Sequence, residues 1–278
     1  MSRSALAYPP SRPPAAPPTR RGRPAAPTPV PRPQPEPAGR GRRAARLLRE
    51  AVVETAWPTR CAVCDEPGAV LCDRCADALA VIDRWDACPR CGAPWGRVQC
   101  SECNPVMLAA SGREALPYAE GAAAVILDEA ARAVVVTYKD RGERRLASVM
   151  AARMAACAPP AWVAPETLVT FVPASGAARR RRGFDHGEEL ACAVAGLLGL
   201  ACAPLLRRPR AADQRRLSRA GRAANMAGSL AALPGATAPG AVIVVDDVAT
   251  TGATLCAAAE ALAAAGAGPV YALTFARA

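Results

Sequence analysis

The chain has 278 residues, 51% of them hydrophobic, which is enough for one or two domains with a sizeable core. Its formal net charge is +11, but residues 1–50 hold eleven Arg against two Glu and therefore carry +9, which leaves only +2 for the other 228 residues. This distribution argues against a strongly basic nucleic-acid-binding body.

Residues 1–50 are predicted to be a disordered, basic, proline-rich tail. Thirteen of the 28 prolines lie between Pro9 and Pro37, and a segment with so few large apolar side chains cannot offset its ordering entropy. Such a tail could touch nucleic acid or an anionic surface, or it is simply a solvated extension. It has no signal-peptide core, and no stretch of about 18 apolar residues follows it, so we expect a cytoplasmic protein without a membrane span.

Residues 51–108 are predicted to be a small zinc module. Two C-x-x-C pairs supply the four thiolates of a tetrahedral structural zinc site, which leaves no open position for catalysis. Disulfides and redox chemistry are the alternatives, but a reducing cytosol disfavours disulfides, and four tandem pairs favour metal. The spacing leaves open whether neighbouring pairs share an ion or alternate in a cross-brace. The eight predicted ligands are Cys61, Cys64, Cys72, Cys75, Cys88, Cys91, Cys100 and Cys103. The other four cysteines are predicted to be isolated core residues: Cys157, Cys192, Cys202 and Cys256.

From residue 115 to the C-terminus, the pattern predicts an α/β domain with a mostly parallel sheet and helices on both faces. Apolar runs indicate strands at 122–127, 167–172, 200–206, 241–245 and 270–275, the first of which could also belong to the helix after it. Helical patterns cover 128–157, with a break at 140–142, and also 188–200 and 253–265. Ligands of such domains lie at the carboxyl ends of strands.

The body has three basic features, of which Lys139 and the arginines at 179–182 are candidates for binding an anion. Lys139 is the only lysine beside 34 arginines, and a lone ammonium hints at a phosphate partner, although chance is the alternative. The four arginines at 179–182 are predicted to line a loop, followed by His186, the only histidine. His186 could act in acid/base chemistry or be a polar residue at a helix start. A polar, basic stretch of about twenty residues from Arg207 to Asn225 is typical of a lid.

The most informative segment runs from Val244 to Leu255. An apolar strand is predicted to end in Asp246 and Asp247, followed by a short Thr/Gly turn and an Ala-rich helix. Backbone N–H groups and a helix N-terminus converge at such a turn, which makes it a phosphate site. Carboxylates would repel the phosphate itself but suit the hydroxyls of a phosphorylated sugar. The ordinary alternative is a strand end before a capped helix.

This segment resembles the phosphoribosyl-pyrophosphate motif of type I phosphoribosyltransferases. The resemblance implies that Asp246 and Asp247 hold the ribose hydroxyls together with Mg²⁺, and that the turn holds the 5′-phosphate. Lys139 and Arg182, from the 179–182 patch, are then predicted to neutralise the departing pyrophosphate. The predicted ligand-binding residues are Asp246, Asp247, Ala249, Thr250, Thr251, Gly252, Ala253 and Thr254.

From Arg60 onward the whole chain is similar to the ComF-type proteins, which join an N-terminal cysteine-rich zinc module to a type I phosphoribosyltransferase domain. The landmarks are the cysteine pairs, Tyr138-Lys139, Arg182-Gly183-Phe184, the Gln214-to-Asn225 pattern and the Asp246–Thr254 motif; Asp185-His186 departs from the usual Asn-Gln.

The resemblance implies a phosphoribosyltransferase acting on an unidentified acceptor, with a link to DNA uptake in competence. The alternatives are a non-catalytic factor that handles single-stranded DNA, and a zinc-module adaptor that docks proteins of the uptake machinery. Few aromatic side chains are available for stacking bases, which weakens the first alternative.

Overall fold

A five-stranded parallel sheet is the centre of the molecule, which is described by a computed structural model over residues 58–209, 229–236, 238 and 240–278. The strand order is β1-β7-β6-β2-β3, and every neighbouring pair is parallel. A second, antiparallel pair is formed by β4 and β5. The strands are β1 (Glu120–Ile126), β2 (Leu168–Phe171), β3 (Ala201–Cys202), β4 (Leu206–Arg207), β5 (Ala231–Ala232), β6 (Val242–Ala249) and β7 (Val270–Arg277).

Helices cover both faces of this sheet, as the sequence predicts. They are α1 (Asp73–Asp77), α2 (Pro105–Ala110), α3 (Glu129–Lys139), α4 (Leu146–Cys157), α5 (Gly176–Arg182), α6 (His186–Leu198) and α7 (Ala253–Ala264). On β6, Ile243 and Val245 join a core with α3, α4 and α6. Val242 and Val244 point the other way and join the core of α7. Because alternate residues of a strand face opposite sides, a continuous apolar run marks a strand buried on both faces.

The predicted order of the main strands and helices is confirmed, but some elements differ from the prediction. The arginines at 179–182 are helical rather than in a loop, because Ser175 caps α5 by accepting the Ala178 N–H and Gly183 ends it in the left-handed region. Four cations in the last turn also suit the negative end of the helix dipole. The run at 200–206 forms two short strands, β3 and β4, instead of one. Of the predicted lid, residues 210–225 lie outside the described residues, as does the tail at 1–50.

The cysteine-rich segment packs directly on this domain. Leu71 and Leu79 belong to the same buried core as α3 and α4. Val81 forms an antiparallel bridge with Val125 of β1, so the segment covers an edge strand of the sheet. At Gly121 of β1 an added Cβ would lie 3.0 Å from the Cys91 carbonyl carbon, so any other residue there would require the Cys91 backbone to move. In the part of the chain that is described, no helix is long and apolar enough to cross a membrane.

Candidate functional site

Two groups of four cysteines each bring their sulfur atoms within 4.8 Å of one another. One group joins Cys61, Cys64, Cys72 and Cys75, and the other joins Cys88, Cys91, Cys100 and Cys103. Neighbouring pairs therefore share a site, which decides between the sequential and cross-braced arrangements. The second group is buried throughout, whereas the first is half-exposed at two of its members.

The sulfur spacing in both groups fits a tetrahedral zinc ion. The Sγ atoms of Cys64 and Cys72 are 3.7 Å apart, and those of Cys91 and Cys100 are 3.5 Å apart. Four sulfurs bound to zinc at about 2.3 Å lie about 3.8 Å from one another. The Cys61 Sγ also accepts the Cys72 N–H at 3.5 Å, a contact that orients the sulfur. Each group could hold one structural zinc ion.

The acidic pair lies inside β6, since this strand continues to Ala249 beyond the predicted end at 245. Asp247 is 3% exposed and Asp246 is half-buried. The Asp246 Oδ1 accepts the Asp247 N–H at 3.0 Å. The pair remains at the carboxyl half of a central parallel strand, where ligands of open α/β sheets bind.

Lys139, 108 residues earlier in the chain, meets this acidic pair. It is the last residue of α3, and its Nζ lies 2.5 Å from the Asp247 Oδ2. Burial lowers the pKa of the Lys139 ammonium, while Asp246 opposes that shift. The predicted catalytic lysine and the acidic pair are therefore one cluster.

His186 and Arg182 form the next contacts around Asp247. The His186 Nε2 is 3.5 Å from the Asp247 Oδ2, and Arg182 Nη1 is 3.2 Å from the His186 Nδ1. Burial, followed by the charges of Lys139 and Arg182, lowers the pKa of the His186 imidazole to about 4. The ring is therefore neutral at pH 7: Nδ1 accepts from the guanidinium and Nε2–H faces the carboxylate. His186 holds charged neighbours in place rather than exchanging protons with them.

The turn after β6 leads into the N-terminus of α7. Gly252 stands at the helix start with φ 71°, a left-handed conformation that favours glycine, and it has no side chain to cap the first turn. The Ala253 N–H donates to the Thr251 Oγ1 at 3.4 Å. Thr250 and Thr251 are exposed, while Ala249 and Gly252 are buried and Ala253 and Thr254 are half-buried. The N–H groups that follow, at the start of a twelve-residue helix, could receive an anion.

A cavity of about 440 Å³ lies beside the acidic pair, and of the turn after β6 only Thr254 lines it. Asp246, Asp247 and Thr254 line it together with three cations, Lys139, Arg182 and Arg208. The cavity therefore combines hydroxyl-accepting carboxylates with a surplus of positive charge. It suits a ligand that carries both hydroxyls and more than one negative charge.

Three of the contributing residues were not identified from the sequence. Arg208, assigned to the lid, is held at the cavity by donating from Nε to the Pro173 carbonyl at 2.8 Å. Asp185 caps α6 and also accepts the Ala174 N–H at 3.0 Å, which fixes the cavity wall. Arg277 is 2% exposed, and its Nη1 would lie 3.7 Å from a Cβ placed on Gly252. Arg208 and Asp185 lie in segments that the sequence singles out, but their spacing does not show that they meet the cavity, and Arg277 belongs to no recognised motif.

Arg277 adds positive charge beneath the turn. Its Nε and Nη1 are buried and have no hydrogen-bond partner among the described residues. A buried guanidinium with unpaired N–H groups would attract an anion bound at the turn, because Gly252 has no side chain to separate the two charges. The charge of Arg277 therefore reinforces the N-terminus of α7.

The carboxyl of Asp246 makes the stability of the ligand-free protein depend on pH. Burial raises its pKa to about 6, against the opposing charges of Lys139 and Arg208. A raised carboxyl pKa means that the folded state binds the proton more tightly than the unfolded state, so this stabilisation is present at low pH and is lost as pH rises through 6. Between pH 5 and pH 7.5 we expect a loss of about 1 kcal/mol.

Asp246→Asn, which mimics the neutral carboxyl, should remove this dependence. Thermal unfolding of the ligand-free proteins should show the variant gaining on the wild type as the pH rises, with a gap between the two unfolding temperatures that is a few degrees wider at pH 7.5 than at pH 5. A gap that is the same at both pH values would contradict the assignment. Glu114→Gln, at an exposed carboxyl, is the control and should show no such difference.

Comparison with solved structures finds weak similarities, among them similarities to two enzymes. The allosteric regulatory enzyme of purine biosynthesis matches with 23% identity and a TM-score of 0.33 over 47% of this chain and 25% of the other, so the chain spans about a quarter of its length. Orotate phosphoribosyltransferase from Aeropyrum pernix matches with 18% identity and a TM-score of 0.33 over 55% of this chain and 78% of the other. No protein-family model and no curated protein matches. Similarities this weak do not support a functional assignment. The argument for a function therefore rests on the geometry of the site.

Proposed function

We propose that the cavity binds phosphoribosyl pyrophosphate with Mg²⁺ and that the protein transfers the phosphoribosyl group to an acceptor. The observation that carries this proposal is the meeting of Asp246 and Asp247 with Lys139, Arg182 and Arg208 in one cavity. A sugar with two hydroxyls, a phosphate and a pyrophosphate uses all of these groups. A simple phosphate ligand would give the two carboxylates no hydrogen-bond donor, and their negative charges would repel it.

The ribose fits the acidic pair, and its phosphate fits the turn. Carboxylate oxygens of Asp246 and Asp247 accept hydrogen bonds from neighbouring ribose hydroxyls. The 5′-phosphate then reaches the N-terminus of α7, where Thr254 lines the cavity and Arg277 lies beneath Gly252. Carbon 1 and its pyrophosphate therefore face the opposite side, toward Lys139 and Arg182.

Charge stabilisation of the leaving group is the main catalytic effect in this proposal. Lys139 and Arg182 oppose the negative charge that develops as the bond from carbon 1 to pyrophosphate breaks. His186 is neutral, so its contact orients the Arg182 guanidinium without neutralising the positive charge of that group. The Asp246 and Asp247 carboxylates also fit Mg²⁺, which prefers oxygen ligands and would neutralise ligand charge when bound.

The zinc groups have a separate role. All four positions of each ion would be filled by thiolates, so zinc stabilises the cysteine-rich segment against β1 rather than taking part in transfer. Membership of the ComF-type proteins, the cytoplasmic location and the link to DNA uptake stay predictions from the sequence.

Lys139→Met tests the leaving-group side of the cavity. Removing one charge-assisted contact should weaken pyrophosphate and phosphoribosyl pyrophosphate binding by about tenfold to a hundredfold. Binding of ribose 5-phosphate should weaken less than binding of pyrophosphate, because Lys139 acts on that ligand only through its contact with Asp247. Isothermal titration calorimetry of the three ligands measures this difference.

Arg141→Met is the matched control, since it removes one exposed cation two residues away. It should bind all three ligands as the wild type does. Unchanged pyrophosphate affinity in Lys139→Met would overturn the assigned role of Lys139, and an equal loss for all three ligands would show that the change disturbs the whole site.

A further inference from the structure

Cys192 and Cys202 bring two thiols together outside the zinc groups. Cys192 lies on α6 and Cys202 on β3, and their Sγ atoms are 2.7 Å apart. The sulfurs of a disulfide are about 2.05 Å apart, so the two atoms need to approach by less than about 1 Å. The sequence prediction that these residues are isolated in the core is wrong: Cys192 is exposed, Cys202 is half-buried and they contact each other.

This pair differs from the zinc groups in its sulfur–sulfur distance and in the number of neighbouring metal-ligating side chains. Sulfur pairs in the zinc groups lie 3.5 to 3.7 Å apart, as thiolates around one ion do. The two zinc groups account for every cluster of three or more metal-ligating side chains in the described residues, and neither includes Cys192 or Cys202. Two thiols without further ligands do not make a tetrahedral metal site, so oxidation is the chemistry that their contact favours.

Exposure determines which thiol reacts first. Among the twelve cysteines, all of which lie in the described part of the chain, Cys192 alone is exposed. Burial, followed by the contact with Cys192, raises the pKa of the Cys202 thiol to about 12. Because the thiolate is the nucleophile, Cys192 attacks an incoming reagent and Cys202 follows.

We propose that Cys192 and Cys202 are a reversible dithiol–disulfide site that is oxidised by small-molecule disulfides. The Cys192 thiolate attacks one sulfur of the reagent, forms a mixed disulfide and releases one reagent thiol. Cys202 gives up its proton and attacks the Cys192 sulfur, which forms the protein disulfide and releases the second reagent thiol. The two protein thiols are thereby oxidised, and the reagent disulfide is reduced to two thiols.

The disulfide would tie an edge of the sheet to a helix. β3 is an edge strand held to β2 by two residue pairs, Leu168 with Ala201 and Val169 with Cys202. A covalent link to α6 fixes this weakly paired strand and closes a short loop, both of which stabilise the folded state. The site stands independently of the proposed transferase activity.

Oxidation of the full-length, zinc-loaded protein by hydroxyethyl disulfide tests this proposal. Intact mass should fall by two hydrogen atoms, peptide mapping should link Cys192 to Cys202, and zinc content should not change. The thermal midpoint should rise by a few degrees and return on reduction. Cys202→Ser should stop at the mixed disulfide, whereas Cys192→Ser should not react.

Cys157→Ser is the matched control, since it removes a half-buried thiol elsewhere and should leave the oxidation unchanged. An unchanged mass in the wild type would overturn the proposal, as would a mixed disulfide that persists in the wild type. Cross-linked peptides that involve the zinc groups, with loss of zinc, would also overturn it.

Discussion

Asp246→Asn/Asp247→Asn is expected to lower the affinity for phosphoribosyl pyrophosphate by about a hundredfold or more. Each carboxylate contributes hydrogen bonds to ribose hydroxyls of about 1.5 kcal/mol or more, and the two losses together correspond to that factor. The fold should be retained, because Asn has nearly the same shape and β6 keeps its backbone pairing with β2 and β7. Calorimetric titration in the presence of Mg²⁺ measures the affinity.

The matched control for this prediction is Glu114→Gln/Glu129→Gln, which changes the net charge equally at two exposed positions. The control should bind as tightly as the wild type. Zinc content and circular dichroism should be the same for all three proteins. If the Asp variant keeps an affinity within about threefold of the wild type, the acidic pair does not hold the ribose.

Zinc binding gives the second large effect. The wild type should contain two zinc ions per chain, and their removal by a strong chelator should unfold the cysteine-rich segment, because structural zinc contributes about 10 kcal/mol or more to folding. Val81 would then no longer pair with β1, so this edge strand would be exposed and the protein should aggregate more readily.

Two double variants test how the cysteines are shared. Cys61→Ser/Cys72→Ser removes ligands from one group only, so one zinc per chain should remain. Cys61→Ser/Cys88→Ser removes a ligand from each group, so both ions should be lost. A cross-braced arrangement predicts the reverse, and zinc analysis by mass spectrometry distinguishes the two.

Much of the fold follows from local patterns. The run at 241–245 predicts a strand buried on both faces, and β6 has that character because its alternate residues enter two different cores. Glycine and threonine after the Asp pair predict the helix start that Gly252 provides. Such features are visible because their causes, side-chain alternation and backbone conformation, act over a few neighbouring residues.

The parts of the site that depend on packing are less accessible to sequence reasoning. The meeting of Lys139 with Asp247 joins positions 108 residues apart, and only the rarity of lysine and the family resemblance pointed to Lys139. The contact of Cys192 with Cys202 depends on how α6 lies on β3, which no spacing rule encodes. The arginines at 179–182 form a helix because of capping by Ser175, an effect that a count of charges overlooks.

The most direct test of the central claim is calorimetric titration of phosphoribosyl pyrophosphate, with Mg²⁺, into the zinc-loaded wild type. We predict one binding event per chain that weakens when Mg²⁺ is omitted. Ribose 5-phosphate and pyrophosphate should each bind more weakly than the complete ligand, because each fills only part of the cavity. The absence of binding at ligand concentrations up to about 1 mM, the upper end of usual enzyme–substrate affinities, would contradict the proposed function.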